Sequence, residues 1–176
     1  MTRKLIVYIA CSVDGFIAKP NDDLSFLSIV EQEGEDYGYE QFVSSIDTVI
    51  MGRKTYDWVK QHEEVPHADK TLYVITRTPR APKGKTHFYA DSLKELVQDL
   101  KSKPGKNIFC DGGAEIVNAL LKHHLVDELR ISIIPILLGQ GTRLFANIPE
   151  QNLTLISSQS FEKGLVQLSY KVLTEK

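Results

Sequence analysis

Four short runs of the chain, KLIVYIACS (residues 4–12), DTVIMG (47–52), TLYVIT (71–76) and NIFCD (107–111), are apolar almost without interruption. Strict alternation of apolar and polar residues marks a strand with one wet face, whereas a short unbroken apolar run marks a strand covered on both faces. Strands of the second kind need helices on each side of their sheet, so this feature confines the chain to an α/β architecture with a mainly parallel sheet. Segments with helical spacing lie between the runs: a weak one near 24–33, then 38–46, 53–60, SLKELVQDLKSK (92–103) and AEIVNALLKHH (114–124). In the last, Ile116, Val117, Leu120 and Leu121 share one face and leave Glu115, Asn118 and Lys122 outward.

The end of the chain changes character. VDELRISIIPIL (126–137) reads as a strand with no long helix before it, and LTLISSQSF and LVQLSYKVL flank the turn Glu162-Lys163-Gly164. Val166, Leu168, Tyr170 and Val172 alternate with Gln167, Ser169 and Lys171, the pattern of a strand with one wet face. The expected fold is a three-layer α/β/α domain over residues 1–176, its mixed, mainly parallel sheet ending in an antiparallel hairpin. With 176 residues such a domain buries about two thirds of its unfolded surface. A net charge of −2 with acids and bases interspersed gives no reason to expect nucleic acid as a partner. No run approaches the roughly 18 apolar residues that would span a bilayer, and no cleavable leader is recognisable. Cys11 and Cys110, both in apolar segments, read as buried reduced thiols, and the expectation is a soluble cytoplasmic protein with no membrane partner.

Three junctions carry the chemistry. In MGRKTYDWV (51–59) a glycine closes a buried strand and Arg53, Lys54 and Thr55 open a helix, whose first amides and dipole favour an anion. The same residues also fit a glycine turn with solvated cations. In YVITRTP (73–79) a hydroxyl and a guanidinium follow a buried strand, where open α/β sheets place their ligand crevice. Arg77 there suits the extra phosphate that separates NADP from NAD, and equally a loop arginine in water. In DGGAE (111–115) two glycines allow close backbone approach before a helix, although the third glycine of a dinucleotide fingerprint is missing.

ACSVDGFIA, DTVIMGRKTYDWV, LYVITRTP, DGGAEIVNALL and VDELRISIIPILLGQGTRLF occur in the order of the dihydrofolate reductase fold, and the long last element most resembles the reductase domain of bacterial riboflavin biosynthesis and its stand-alone relatives. The resemblance runs from about residue 4 to 173 and implies NADPH as cofactor. It assigns the NADP phosphates to Gly52, Arg53, Lys54 and Thr55, and the adenosine 2′-phosphate to Thr76 and Arg77. It sets cis-linked Gly112 and Gly113, with Ala114, Glu115 and Ile116, beside the pyrophosphate, and Ala10 and Ile17 beside the nicotinamide. It also implies a homodimer and a small-molecule substrate.

The substrate side departs from dihydrofolate reductases. Counting back from MGR without a gap puts Asp36 where those enzymes keep a proton-donating carboxylate in their first long helix, although Asp36 equally suits an acid favouring its own helix dipole. Lys70 stands where they grip the folate tail with an arginine, and a point charge does not replace a bidentate fork. Asp111 stands where they keep an apolar residue; a carboxyl there would change the substrate, and desolvation could make it a proton donor. Asp36 and Asp111 are thus the catalytic candidates, and Asp14 reads first as a turn residue in Asp-Gly. His123 and His124 at a helix C-terminus suit its dipole better than a metal, and His62 and His67 lack partners at ligand spacing, so no metal is expected. The preferred reading is hydride transfer from NADPH to a small heterocyclic or imine-bearing substrate, like the reduction of 5-amino-6-(5-phosphoribosylamino)uracil. A dihydrofolate or pterin reductase is the second reading. A non-catalytic nucleotide-binding or dimerising protein is the third.

Overall fold

The structure is a computed structural model that describes residues 2–62 and 67–174. Its strands are β1 (Leu5–Ser12), β2 (Phe16–Ala18), β3 (Ile46–Gly52), β4 (Thr71–Ile75), β5 (Thr86–Tyr89), β6 (Asn107–Gly112), β7 (Glu128–Ile134), β8 (Thr142–Arg143), β9 (Leu153–Ser160) and β10 (Val166–Val172). Four helices, α1 (Tyr39–Ser44), α2 (Arg53–His62), α3 (Leu93–Ser102) and α4 (Ala114–Lys122), lie between them. Eight strands form one sheet in the order β5-β4-β3-β6-β1-β7-β10-β9. From β5 to β7 every pairing is parallel, while β10 runs antiparallel to both β7 and β9. The α/β fold and its closing hairpin are those the residue pattern requires.

Both faces of the parallel half are dry, which explains its unbroken apolar runs. On one face Leu96, Val97 and Leu100 of α3 and Val117, Leu120 and Leu121 of α4 pack with Leu5, Val7, Ile50, Ile108 and Cys110. On the other, Phe42 of α1 and Tyr56 of α2 pack with Ile6, Val49, Met51, Leu72, Val74 and Phe109. Helix α3 begins where it does because the Ser92 side chain accepts the Glu95 amide at 3.3 Å, a side-chain cap.

Several elements differ from expectation. The segment 24–33 forms only a 3-10 helix over Ser25–Val30, without a side-chain cap, and the helix expected over 38–46 shrinks to the six residues of α1. The four-residue β5 was hidden because THFY is too short to show a period. The wet face of the last strand is also reassigned: Ser169 is 9% exposed, and Gln167 is half-buried under the segment that carries Tyr37. The neighbouring β9 is instead exposed along its whole length.

Candidate functional site

The ends of β4, β3 and β6 stand side by side because these strands are consecutive in the sheet, with Gly52 in register with Ile75 and Met51 with Gly112. Glycine lets the last two junctions touch. A Cβ on Gly52 would stand 3.3 Å from Ile116 Cγ1 and 3.7 Å from the Gly113 amide nitrogen, and one on Gly113 would stand 3.3 Å from Thr55 Oγ1. Gly112, at φ +100°, has a backbone open to few other residues, and the Gly112–Gly113 peptide is cis. Helix α4 opens with the bond from Val117 N to Gly113 O at 3.1 Å, so the amides of Ala114, Glu115 and Ile116 lie at the helix mouth as anion donors. A cavity of about 400 Å³ opens along the outer side of this turn between Glu115, Asn118, Lys122 and Arg143.

Cations border the crevice on the α2 side. Arg53 Nη1 lies 2.8 Å from Asp57 Oδ2 one helical turn on, and Arg80 Nη1 lies 3.7 Å from the other oxygen of the same carboxylate. Arg80 also rests 5.4 Å over the Phe88 ring. Lys54 and Arg77 are exposed, and Arg77 makes no ion pair among the described residues. Buried Thr76 turns the chain: its hydroxyl accepts the Thr78 amide at 3.2 Å, while its own amide donates to Tyr89 O at 2.9 Å. Ala10 and Ile17 are half-buried at the end of β1 and in β2, Ala10 against the cluster of Phe26, Val30 and Ile134.

The carboxylates separate by environment. Asp111 is half-buried at the end of β6, at the irregularity where Ile50 pairs with Cys110 but Met51 with Gly112. Asp36 departs from the expected proton donor. It is exposed ahead of α1, where its carboxylate accepts the Glu40 and Gly38 amides at 2.9 Å each; these bonds hold it below the ordinary carboxylate range and keep it ionised. It holds the amides at the mouth of a short helix, and among the described residues no long helix precedes β3. Asp14 accepts the Ser12 hydroxyl at 2.6 Å, Leu138 N at 3.0 Å and Gly139 N at 2.7 Å, which lowers it to about 2 and ties the 138–139 turn to the end of β1. Lys70 pairs with Asp69 at 2.9 Å. Burial pushes the Cys11 and Cys110 thiols up to about 11 and about 12, so both are inert hydrophobes. No group of three or more His, Cys, Asp or Glu among the described residues could hold a metal ion.

Residues 3–167 match the family model described as the RibD C-terminal domain. The chain belongs to the RibD C-terminal domain family. It is 40% identical over 173 residues, 97% of this chain and 98% of the relative, to YwjB of Bacillus subtilis (strain 168), a protein of uncharacterised function. Among solved structures it is similar to a riboflavin biosynthesis protein from Shewanella sp. PV-4, with a TM-score of 0.88 and 30% identity covering 99% of this chain and all of that one. The diaminohydroxyphosphoribosylaminopyrimidine deaminase/5-amino-6-(5-phosphoribosylamino)uracil reductase of Thermotoga maritima shares the fold with a TM-score of 0.72 at 11% identity, covering 98% of this chain and 57% of that one. No helix among the described residues is long and apolar enough to cross a membrane.

This RibD C-terminal domain also contains polar groups that sequence reading missed. Gln167 Nε2 donates to Tyr8 Oη at 2.7 Å and lies 3.3 Å from both Ser132 Oγ and Tyr37 O. Burial raises the Tyr8 phenol above its ordinary value, against the lowering pull of the Gln167 bond. Tyr8 lies two residues before Ala10 on the same face of β1, so this neutral hydrogen-bonding set lines the face that packs against Phe42 and Phe109. Its sequence signal was one tyrosine in an apolar run and one glutamine in an alternating strand. Arg80 and Asp57 were passed over for a similar reason, since only the packing of α2 beside the segment after β4 makes them one cluster.

Proposed function

We propose that this protein is a cytoplasmic NADPH-dependent reductase that transfers hydride to a small heterocyclic or imine-bearing substrate of the riboflavin-precursor type. The observation that carries the reading is the contact of the Gly52 and Gly113 junctions, which joins two helix mouths into one anion-binding wall beside the cations after β4 and β3. The residues present fit a dinucleotide. Glycines admit a close backbone approach, the amides of Ala114 to Ile116 and the first turn of α2 suit the phosphates, and the exposed Arg77 suits a 2′-phosphate, with Arg53 and Arg80 gathered on Asp57 at the same ends of β3 and β4.

NADPH when bound supplies the hydride; the protein's work is orientation, exclusion of water and proton management. Ala10, packed against Phe26, Val30 and Ile134, and Ile17, packed against the other core cluster, are the apolar residues on which a nicotinamide face would rest. Asp111 is the carboxyl carried forward as proton donor or substrate anchor, whereas the capped Asp36 is not. Tyr8, Ser132 and Gln167 present neutral donors and acceptors, which suit the carbonyl and amine edges of a pyrimidine.

Thermal melting with each nicotinamide cofactor tests the core of this reading. NADPH at one hundred times its Kd should add about 2.7 kcal/mol, with a smaller effect from NADH. No shift with either would overturn it. Asp111→Asn should keep the NADPH shift and lose turnover on pyrimidine acceptors followed at the nicotinamide absorbance; full turnover would remove Asp111 from the chemistry.

A further inference from the structure

We infer that the Tyr8 phenol is the proton donor of this reductase, giving its hydrogen to the heteroatom of the bond that hydride reduces. The inference rests on the hydride-transfer reading and names the acid within it. Ala10 stands opposite Ser132 of β7, and Ser132 opposite Gln167 of β10, so the three form one row across the sheet. Tyr8 starts two residues behind that row, opposite Arg130. Its Oη nevertheless lies 2.7 Å from Gln167 Nε2, which is itself 3.3 Å from Ser132 Oγ. The side chain therefore leans forward along β1 and brings its hydroxyl to the row of Ala10, where the nicotinamide face would rest.

The bonds around the phenol steady its oxygen and hold its proton loosely. The oxygen accepts the Gln167 amide at 2.7 Å, whereas the proton goes to Tyr37 O at 3.4 Å, a bond too long to be strong. A substrate nitrogen or oxygen at ordinary hydrogen-bond distance takes that proton more readily. The Tyr8 ring packs 4.9 Å from Phe42 and edge-on to Tyr39 and Phe109, so the hydroxyl is aimed by its ring as well as by Gln167. Burial raises the phenol above its ordinary value, against the Gln167 and Ser132 bonds and the Arg130 charge, and keeps it protonated at neutral pH. Asp36, ahead of α1, adds to that rise, and His67 stands one ring away, its Nε2 3.2 Å from Tyr39 Oη.

Asp14 and Asp36 are held ionised by the groups they accept, so neither has a proton to give at neutral pH. Tyr8 has one, and Asp111 then serves as the substrate anchor. When hydride forms the new C–H bond at the carbon of an acceptor C=N bond, the π pair of that bond moves to nitrogen. The Tyr8 O–H bond breaks and its proton forms the N–H bond; the imine is reduced and the dihydronicotinamide oxidised. The phenolate left behind is steadied by the Gln167 amide and the Arg130 guanidinium, and water returns its proton.

Tyr8→Phe removes the proton and keeps the ring, so it separates the acid from the packing. The variant should keep the wild-type melting shift with NADPH and lose roughly 100- to 10,000-fold in kcat on 5-amino-6-(5-phosphoribosylamino)uracil, with KM little changed. Gln167→Met, which lacks the amide that steadies the phenolate, should lose roughly 10-fold. Wild-type kcat should hold from about pH 7 to about 10 and fall above that as the phenol ionises, a limb missing from Tyr8→Phe. A further readout needs no turnover. Protein labelled with 3-fluorotyrosine gives a fluorine resonance assigned to Tyr8 by its loss in Tyr8→Phe, and with NADP bound that resonance should shift when the uracil is added. Full kcat in Tyr8→Phe, a loss confined to KM, a wild-type profile without the alkaline limb, or a Tyr8 resonance indifferent to bound uracil would overturn the assignment and leave the functional reading standing. A wild type that shows no NADPH shift, or that reduces none of the pyrimidine and pterin acceptors, fails the functional reading and the assignment with it.

Discussion

Gly52 and Ile116 belong to different strand-to-helix junctions, yet a Cβ on the glycine would stand 3.3 Å from Ile116 Cγ1. The distance is short enough that one extra methyl must make the Ile116 side chain, wedged between the two junctions, give by a few tenths of an ångström. Gly52→Val is therefore expected to cost about 1–3 kcal/mol in urea unfolding, through overpacking, and to weaken NADPH binding by separating the two helix mouths. Unchanged stability and affinity would show that the junctions do not act as one wall.

Arg77 is exposed and needs no internal partner among the described residues, so its removal should spare the fold. Arg77→Ala should weaken NADPH binding by roughly 10- to 100-fold, the worth of a charge-assisted bond, and leave NADH nearly unaffected. Titration calorimetry with both cofactors checks it. An equal loss for the two would mean that Arg77 does not read the 2′-phosphate.

Asp14 couples the 138–139 turn to acid. Its folded value, about 2, lies below the ordinary 3.8, so its contribution to stability is complete above the unfolded value and is lost as pH falls through about 2. The wild-type melting temperature should fall over that window more steeply than that of Asp14→Asn. Parallel acid limbs in the two proteins would contradict this.

Arg3 sits at the other end of the sheet, 7% exposed, and donates to Thr48 Oγ1 at 2.7 Å, Lys106 O at 2.6 Å and Leu100 O at 3.1 Å, besides its ion pair with Asp47. Removing the guanidinium strands buried acceptors. Arg3→Ala should cost about 2–4 kcal/mol, discounted from a fully buried pair because Asp47 is 40% exposed. Urea midpoints at unchanged slope measure it, and NADPH affinity per folded molecule should not move.

How much of this was legible depends on range. The four apolar runs, the helices over 92–103 and 114–124 and the closing hairpin were readable because strand and helix periods are local properties of the chain. MGRKTY and DGGAE announced themselves because glycines and cations at a strand end are unusual within a few residues. Asp36 left two readings open, a proton donor placed by a gapless count or an acid at its own helix mouth, and only the folded chain, with the Gly38 and Glu40 amides on that carboxylate ahead of a six-residue α1, favours the second.

By itself, then, the sequence determined the layer architecture, the parallel core and the three junctions, since each is a pattern of neighbouring residues. Only the tertiary structure decided which residues meet. Sheet order set Gly52 against Ile116 and Asp57 between Arg53 and Arg80, and it brought Tyr8 to Gln167, 159 residues apart. It also decided which face of the final hairpin is covered, by laying the Tyr37 segment over Gln167 and leaving Leu155 open. An alternating strand states that it has two unlike faces; which of them is buried depends on what the rest of the chain packs against it.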